Sequence, residues 1–473
     1  MRITLRTAFA LLFMQQAAFS INQPPQKVPT ATKASPAFSP LNHIPGKPCE
    51  AWATVFIHGA VKGQFACWNL LKVWFDQIEN TTYEKVVSIL REDDFFWRNH
   101  AMQGLGLHKV SMHDTQKSGA GVIAHMFHSV AQLYQEGPAI NYYYTFGWSG
   151  LLSTKIRYRE SRQLYKGLTE ELVKIKNEIG VVPKVRIVCF SHGGNVALNL
   201  AKVKKDEPYP LCLAVDELIF VGVPVQRETD TLIADDMFKK AYHFYSVADN
   251  IQTADFFSFK RFFSNRKFHK RSTFDIPEKL TQVSLKIEGY ALRNRYLEKE
   301  KLPVPLPADY QHSKIKTIKT APGHIEMWYL GWTPDWYRKE FPLFPLPVCV
   351  VIPTIINAIN ANPTLKNNLE VSLLPQREAM LIRNRRKPYR KTVPFLSTSV
   401  LESLKKDAQT VKPAERFYLD HRLRIKAALL SAKGDILGKE EHKKPKKKNK
   451  KRKKYTTEDI QPELSELDAP IVV

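Results

Sequence analysis

Apolar and polar residues follow two patterns along the middle of this chain. Short apolar runs, rich in β-branched and aromatic residues, predict buried strands. These runs are 51–57, 141–148, 184–190, 216–224, 241–247 and 281–289. In segments 158–180 and 194–204, apolar residues recur every three or four positions, which predicts helices, the first ending at Gly180 as a C-cap. Buried strands separated by helices indicate the α/β class, with a mostly parallel sheet covered by helices on both faces.

Composition divides the rest of the chain into further segments. Residues 21–48 are rich in proline and polar residues, which predicts a linker before an α/β domain at 49–338. Residues 339–438 are basic and mainly helical in pattern, so we predict a helical C-terminal extension, followed by a disordered tail at 439–473. The apolar run 341–359 is interrupted by prolines, which favours packing over a membrane-spanning helix.

The N-terminus has the pattern of a secretory signal peptide. Arg2 and Arg6 give a basic start, and the apolar run 7–14 is too short to span a bilayer. Residues 18–20 offer a small-residue cleavage site. We therefore expect residues 1–20 to be removed on export to the cell exterior or the periplasm. The alternative is a frayed amphipathic helix.

Positive charge is concentrated near the C-terminus. The formal net charge of the chain is +25, and residues 443–454 hold ten Lys or Arg in twelve positions. Such a run attracts polyanions or anionic surfaces through counterion release. It has no interleaved aromatic residues and no base-reading module, so sequence-specific recognition of nucleic acid is not expected.

The chain has five cysteines, at positions 49, 67, 189, 212 and 349. No pair has the spacing of metal ligands, so we expect no metal site built on cysteine. Cys189 and Cys212 lie in apolar runs and are interpreted as buried small residues. Whether Cys49 and Cys67 form a disulfide stays open.

The junction between the strand at 184–190 and the helix after it contains Ser191. A sharp turn from a strand into a helix exposes the residue at the turn, and it needs small residues two positions to either side. Here those residues are Cys189 and Gly193, so the pattern predicts a nucleophile elbow with cysteine in place of the usual first glycine. The alternative is that Ser191 is a structural N-cap of the helix.

With this elbow, residues 50–335 resemble the α/β-hydrolase family. A second element of the resemblance is "VFIHGA", a strand that ends in His58 and Gly59. In the family, a turn of this kind contributes a backbone N–H to the oxyanion hole, and the resemblance assigns this donor to Ala60. The second donor would be the N–H of His192, which directly follows the nucleophile.

The resemblance also implies an acid and a histidine that follow Ser191 in chain order. Asp249 in "FYSVADNI" matches the acid, with Asp255 as its nearest competitor and Asp216 too early in the chain. The catalytic histidine is matched by His324, which follows Pro322 and Gly323 in "TIKTAPGHIEMW". The alternatives are His269, which lies in a basic run, and His312, which lacks the glycine turn.

The resemblance implies an exported serine hydrolase, esterase-like or lipase-like, that cleaves carboxylic esters without a metal or organic cofactor. In this interpretation, Ser191 attacks the carbonyl, His324 moves the proton and Asp249 orients the histidine. Residues 255–271 combine Phe with Lys and Arg, which suits either a helix packed on the core or a lid over an acyl chain. The alternative function is a catalytically silent scaffold of the same fold, used for binding or surface attachment.

Overall fold

The apolar runs form neighbouring strands of one sheet in a computed structural model of the chain. The structure describes residues 50–61, 75–111, 118–207, 212–252, 264–292, 315–331, 341–362, 365, 367–385, 388–410 and 430. The strands are β1 (Glu50–Ile57), β2 (Gly106–Lys109), β3 (Ala139–Gly147), β4 (Lys184–Phe190), β5 (Val215–Val221), β6 (Phe238–Tyr245), β7 (Leu280–Leu292), β8 (Ile315–Thr320), β9 (Asn368–Leu374), β10 (Ala379–Asn384) and β11 (Arg390–Pro394). The helices are α1 (Thr82–Arg91), α2 (Asp94–Asn99), α3 (Gly119–Gln132), α4 (Thr154–Ile179), α5 (Gly193–Asp206), α6 (Val348–Asn360) and α7 (Thr398–Gln409).

The described residues form a mixed α/β structure with a largely parallel central sheet. The strand order is β11-β10-β9-β7-β6-β5-β4-β1-β3-β2, and β8 pairs with β7 outside this path. All pairs from β3 through β1, β4, β5, β6 and β7 to β9 are parallel. Strands β2, β8, β10 and β11 pair antiparallel with their neighbours. The six strands and two helices predicted from the sequence are confirmed, with ends within about four residues of the predicted ones.

The register of the parallel strands aligns four of their carboxyl ends at one edge. Ile57 of β1 pairs with Cys189 of β4. Phe190 of β4 pairs with Val221 of β5, which in turn pairs with Phe244 of β6. The loops after β1, β4, β5 and β6 therefore begin side by side, at the edge where ligands bind in open α/β sheets.

Helix α4 shows how the sequence pattern becomes packing. The Ser153 side chain caps its first turn by accepting the Ile156 N–H at 3.1 Å. Apolar residues recur from Leu164 to Ile175 and join the buried residues of β4 in one core cluster. The helix ends at Gly180, whose φ of 76° lies in the left-handed region that suits glycine.

The described part of the C-terminal region differs from the separate, mainly helical extension predicted at 339–438. Strand β9 pairs with β7 in parallel, and β10 and β11 continue the same sheet. That prediction is wrong for these residues, because the segment "NLEVSLL" of β9 alternates apolar and polar residues with the period of a strand. By pairing with β7, β9 satisfies backbone groups that an unpaired edge would leave exposed.

The apolar run at 341–359 packs inside the protein, as predicted. Helix α6 lies within it, tolerates Pro353, and is buried at Val348 through Ile352. The Tyr134 hydroxyl, just after α3, hydrogen-bonds to Thr354 Oγ1 at 3.2 Å. Within the described ranges, no helix has both the length and the apolar character needed to cross a bilayer.

Several predictions concern residues outside the described part of the chain. They are the signal peptide at 1–20, the linker at 21–48, the tail at 439–473, the pairing of Cys49 with Cys67, and the portion of the Phe-rich segment up to residue 263. These stay predictions.

We expect Gly180→Ala and Gly167→Ala to have opposite effects on stability. An alanine at 180 must adopt a left-handed conformation, which costs about 1–2 kcal/mol. Gly167 lies inside α4, where an added Cβ would be 3.4 Å from Leu107 Cβ, so alanine there should stabilise the helix by about 0.5–1 kcal/mol. Urea unfolding of both variants measures the two changes. Equal destabilisation by both would contradict the assigned ends of α4.

We also expect the free energy of unfolding to fall as the pH drops from about 6.5 towards 4. Burial lowers the pKa of His58 and His100, and it lowers the pKa of His128 and His243 to about 4. In that pH window the histidines of the unfolded chain bind protons that the same histidines of the folded chain do not bind. Their contribution to the free energy of unfolding is therefore fully present above the window and is lost as the pH falls. His128→Gln should make the decline shallower by up to about 1.4 kcal/mol per pH unit. Urea unfolding at several pH values measures the slope, and an unchanged slope would refute the role of His128.

Candidate active site

Ser191 lies at the junction predicted from the sequence, directly after β4 and two residues before α5. Its φ is 50°, a conformation that residues other than glycine rarely adopt and that is often found at functional sites. The Ser191 N–H donates to Val221 O at 3.0 Å, which ties the turn to the end of β5. The N-cap of α5 is His192, without a side-chain cap bond, so the geometry does not favour a capping role for Ser191.

Two glycines allow the turns after β1 and β4 to approach each other. A Cβ on Gly59 would lie 2.8 Å from Ser191 Cβ. A Cβ on Gly193 would lie 2.4 Å from His58 O, a distance that real Cβ atoms do not reach. The small residue on the other side of Ser191 is Cys189, which is fully buried and donates from Sγ to Ile219 O at 3.3 Å. Burial raises the pKa of the Cys189 thiol, so this side chain serves as packing and not as a nucleophile.

His58 has a structural role in the first of these turns. Its Nε2 contacts Arg91 Nη1 at 2.8 Å and accepts the Trp148 N–H at 3.2 Å. Because both partners donate, Nδ1 carries the hydrogen and donates to Gly59 O at 2.7 Å. Burial, and then the charge of Arg91, lower the pKa of His58, which stays neutral. The ring therefore fixes the position of Gly59 beside Ser191.

Arg91 is the cation at the centre of this network, and nothing in the sequence singled it out. Its guanidinium also donates to the backbone oxygens of Trp148 and Gln103, the latter at 3.0 Å. Trp148 Nε1 in turn donates to His58 O at 2.8 Å. Burial lowers the pKa of Arg91 to about 10, which still leaves it charged at neutral pH. These contacts join α1 to the turn after β1, the residue after β3 and the segment before β2, which are far apart in the chain.

Asp249 and His324 form the hydrogen bond that the sequence pattern predicts. Asp249 lies in the loop after β6 and is fully buried, and His324 lies in the loop after β8 with 7% of its surface exposed. His324 Nδ1 donates to Asp249 Oδ2 at 2.7 Å, while Asp249 Oδ1 accepts the Gln252 N–H at 3.2 Å. This arrangement leaves Nε2 of a neutral ring without a hydrogen, so it is able to accept a proton.

Gly222 connects the serine turn with the Asp–His pair. It directly follows Val221, the residue that accepts the Ser191 N–H. A Cβ on Gly222 would lie 3.2 Å from Asp249 Oδ2 and 3.3 Å from His324 Nδ1, so the pair rests against this glycine. All three predicted residues are therefore brought to the same edge of the sheet.

The ring of His324 also packs against the residue that precedes the serine. The ring centroids of Phe190 and His324 are 4.5 Å apart. Among the described residues, however, no hydrogen bond joins the Ser191 hydroxyl to His324. In enzymes without bound substrate, catalytic hydrogen bonds are often long and shorten when the substrate binds.

The two predicted oxyanion donors lie on the two turns that Gly59 and Gly193 bring together. Ala60 follows Gly59, and His192 follows Ser191. Because Ser191 leaves no room for a Cβ on Gly59, the two donor segments adjoin at the serine. The His192 side chain has its own partner, because its Nδ1 lies 3.3 Å from Nη1 of the buried Arg157.

The competing residues differ in position from the predicted ones. Asp216 accepts the Val185 N–H at 2.8 Å at the amino end of β4, opposite the Ser191 edge. His269 lines a separate pocket with Arg271. Asp255 and His312 lie outside the described residues, so those two alternatives stay untested. Over the described ranges, no group of three or more His, Cys, Asp or Glu side chains could hold a metal ion.

Glu326 is a further buried carboxyl group near the pair that sequence reasoning missed. It is 7% exposed, and a Cβ on Gly323 would lie 2.5 Å from Glu326 Oε2. Burial raises the pKa of Glu326. Position 323 therefore requires glycine, because the Glu326 carboxyl group occupies the space that a Cβ at this position would need. The sequence pattern Gly-His-x-Glu does not by itself predict this contact between Gly323 and Glu326.

Comparisons with known proteins do not assign the chain to a family. A scan against family models found no match, and a search of curated proteins found none either. What the protein does is therefore inferred from its own residues and their geometry.

We expect Arg91→Met to lower the free energy of unfolding by about 2–4 kcal/mol, because it removes the guanidinium donor from the backbone oxygens of Trp148 and Gln103 and one of the two donors from His58 Nε2. The matched control is Arg159→Met on α4. Arg159 is 56% exposed and lies 3.8 Å from a carboxylate oxygen of Glu79, so its loss should cost less than about 1 kcal/mol. Urea unfolding compares the two variants, and equal effects would refute the structural role assigned to Arg91.

Proposed function

We propose that this protein is a serine hydrolase of the α/β-hydrolase type that cleaves carboxylic esters. The observation that carries the proposal is the buried 2.7 Å hydrogen bond between Asp249 and His324, at the edge where Ser191 adopts its strained turn. A buried Asp–His hydrogen bond at the same edge of the sheet as a strained serine has no evident structural purpose. It does match the arrangement that activates a serine.

The order of the elements along the chain supports the same proposal. The serine lies between a strand and a helix, the acid follows β6, and the histidine comes last. This is the chain order of the α/β-hydrolases, and it differs from the order in the other well-known serine hydrolase folds. The His58–Gly59 turn after β1 occupies the place from which that family draws an oxyanion donor.

In the proposed mechanism, Ser191 Oγ attacks the ester carbonyl while His324 Nε2 takes up the serine proton. Asp249 keeps the hydrogen of His324 on Nδ1 and stabilises the imidazolium that forms. The imidazolium then returns its proton to the alkoxide oxygen as the C–O bond of the ester breaks, which leaves an acyl group on Ser191. Water, deprotonated by His324, attacks the acyl group and releases the acid and the free serine.

The oxyanion of each tetrahedral intermediate is stabilised by the backbone N–H groups of Ala60 and His192. Such donors are fixed before the reaction begins, and each contributes about 3–4 kcal/mol to lowering the barrier. Their rigidity here depends on the two turns, which are held together by Gly59, Gly193 and the ring of His58. The chain's own backbone thus supplies the stabilisation that metal-dependent hydrolases obtain from an ion.

We expect a fluorophosphonate probe to label the protein covalently, because such probes react with an activated serine hydroxyl. Ser191→Ala should abolish labelling, since it removes the reacting oxygen. Ser129→Ala is the matched control: Ser129 Oγ donates to His125 O at 3.0 Å on α3, and its loss should leave labelling unchanged. Gel fluorescence after a timed reaction measures the three proteins.

Asp249→Asn is a second variant in the same experiment. In serine proteases the corresponding exchange lowers kcat about 10⁴-fold, because the histidine adopts the wrong tautomer. We therefore expect Asp249→Asn to be labelled far more slowly than the wild type. If well-folded wild-type protein is not labelled at all, the proposal fails, and a catalytically silent scaffold is the better description.

A further inference from the structure

A pocket lies beyond the end of β5, and the proposed hydrolysis does not use it. Its volume is about 210 Å³, and its charged or polar lining residues are Arg227, Asp230, Asn265, Lys267, His269 and Arg271. Cavities that enclose drug-sized ligands measure roughly 300–1,000 Å³, so this pocket suits a small ligand.

The charge of the pocket is positive. Arg227, Lys267 and Arg271 carry three positive charges, and Asp230 carries one negative charge, which leaves a net charge of +2 without His269. The carboxylate of Asp230 is engaged by Arg271, with N–O distances of 2.7 and 2.8 Å to the two guanidinium nitrogens. Among the described residues, neither Arg227 nor Lys267 forms an ion pair with Asp230, although Arg227 is near enough for its charge to offset part of the rise that burial causes in the pKa of that carboxyl group. The lining therefore keeps an excess of positive charge.

The walls of the pocket are fixed by backbone hydrogen bonds. Val225 and Asn265 form an antiparallel bridge, with N–O distances of 2.9 and 3.0 Å in the two directions. Arg271 and Phe274 form a second bridge. Arg271 therefore has two anchors, its ion pair with Asp230 and this turn. A pocket with rigid walls loses little entropy when a ligand binds.

The pocket adjoins the candidate active site. The segment that forms one wall also carries Arg266, whose Nε donates to Asp249 O at 3.0 Å. The other wall follows Gly222, the glycine that contacts Asp249 and His324. The loops after β5 and β6, at the carboxyl edge of the sheet, thus contribute to both sites.

We propose that this pocket binds a phosphate group. A phosphate dianion balances the net charge of +2, and its tetrahedral oxygens accept several hydrogen bonds from arginine, lysine and the Asn265 amide. A carboxylate would neutralise only half of this charge. The phosphate comes from one of two sources, free inorganic phosphate or a phosphate monoester group on a small molecule. Binding at this pocket does not require the serine chemistry.

The test is calorimetric titration of the full chain with inorganic phosphate and, separately, with glycerol 3-phosphate, at about 0.15 M ionic strength. The pocket variant is Arg227→Gln with Lys267→Gln, which removes two charges and leaves the Arg271–Asp230 ion pair in place. The control variant is Lys176→Gln with Lys240→Gln, two exposed lysines on α4 and β6. Both variants lower the net charge equally and keep the Lys-rich run at 443–454, so general attraction to the basic chain is the same in each.

We expect the wild type to bind at least one of the two ligands, the pocket variant to bind it at least about tenfold more weakly, and the control to change affinity less than about twofold. Tighter binding of glycerol 3-phosphate would identify a monoester as the source, and equal or tighter binding of inorganic phosphate would identify the free ion. No measurable binding up to about 10 mM of either ligand, or equal weakening in both variants, would overturn the proposal. Thermal melting of both variants checks that they fold. Labelling of Ser191 is a separate measurement. If phosphate does not bind, the proposal of hydrolase activity is therefore unaffected.

Discussion

Close contact between two backbone turns is the constraint on which the candidate site depends. The turn after β1 and the turn after β4 approach until neither Gly59 nor Gly193 has room for a Cβ atom. This contact brings the Ala60 and His192 segments together on either side of Ser191. It also holds the serine in a left-handed conformation that costs free energy, a cost of about 1–3 kcal/mol that the surrounding packing offsets. This backbone arrangement is in place before any side chain takes part in a reaction.

The two turns are held by a buried cation and not by apolar packing alone. A charged guanidinium inside a protein is unfavourable unless its donors are satisfied, and Arg91 meets this condition with the His58 ring and backbone oxygens. Burial is the main reason that His58 stays neutral, and the donors from Arg91 and Trp148 on Nε2 fix its hydrogen on Nδ1. Arg91 therefore determines the position of Gly59 through a chain of hydrogen bonds, although it has no direct contact with Ser191.

The parts of the structure that could be predicted are those with local signals. The apolar run of β4, the glycine after α4, and the small residues around Ser191 each constrain their own backbone. The order of Ser191, Asp249 and His324 adds a family pattern to these signals. Residue types and their order therefore predict that these three residues lie at one edge of the sheet, even though they are far apart in sequence.

What could not be predicted depends on contacts between distant segments. Arg91 looks like an ordinary basic residue near the end of a surface helix, and only the fold brings it beside His58 and Trp148. Glu326 has no neighbour in sequence that signals its proximity to Gly323. The strand β9 did have a local signal, the alternation in "NLEVSLL", but the basic composition around it favoured a helical interpretation. In the folded chain this strand pairs with β7, so here the alternating pattern outweighs the basic composition.

The same edge of the sheet explains why a basic pocket adjoins the Asp–His pair. Parallel strands present all their carboxyl ends on one side, so loops with unrelated tasks must share that space. The loop after β5 contributes Gly222 to the pair and, a few residues later, Val225, Arg227 and Asp230 to the pocket. Gln226, between these residues, accepts a hydrogen bond from Arg157 at 2.9 Å, and Arg157 also contacts the ring of His192. A ligand in the pocket would thus lie against a loop that contacts the candidate active site at Gly222 and, through Gln226 and Arg157, at His192.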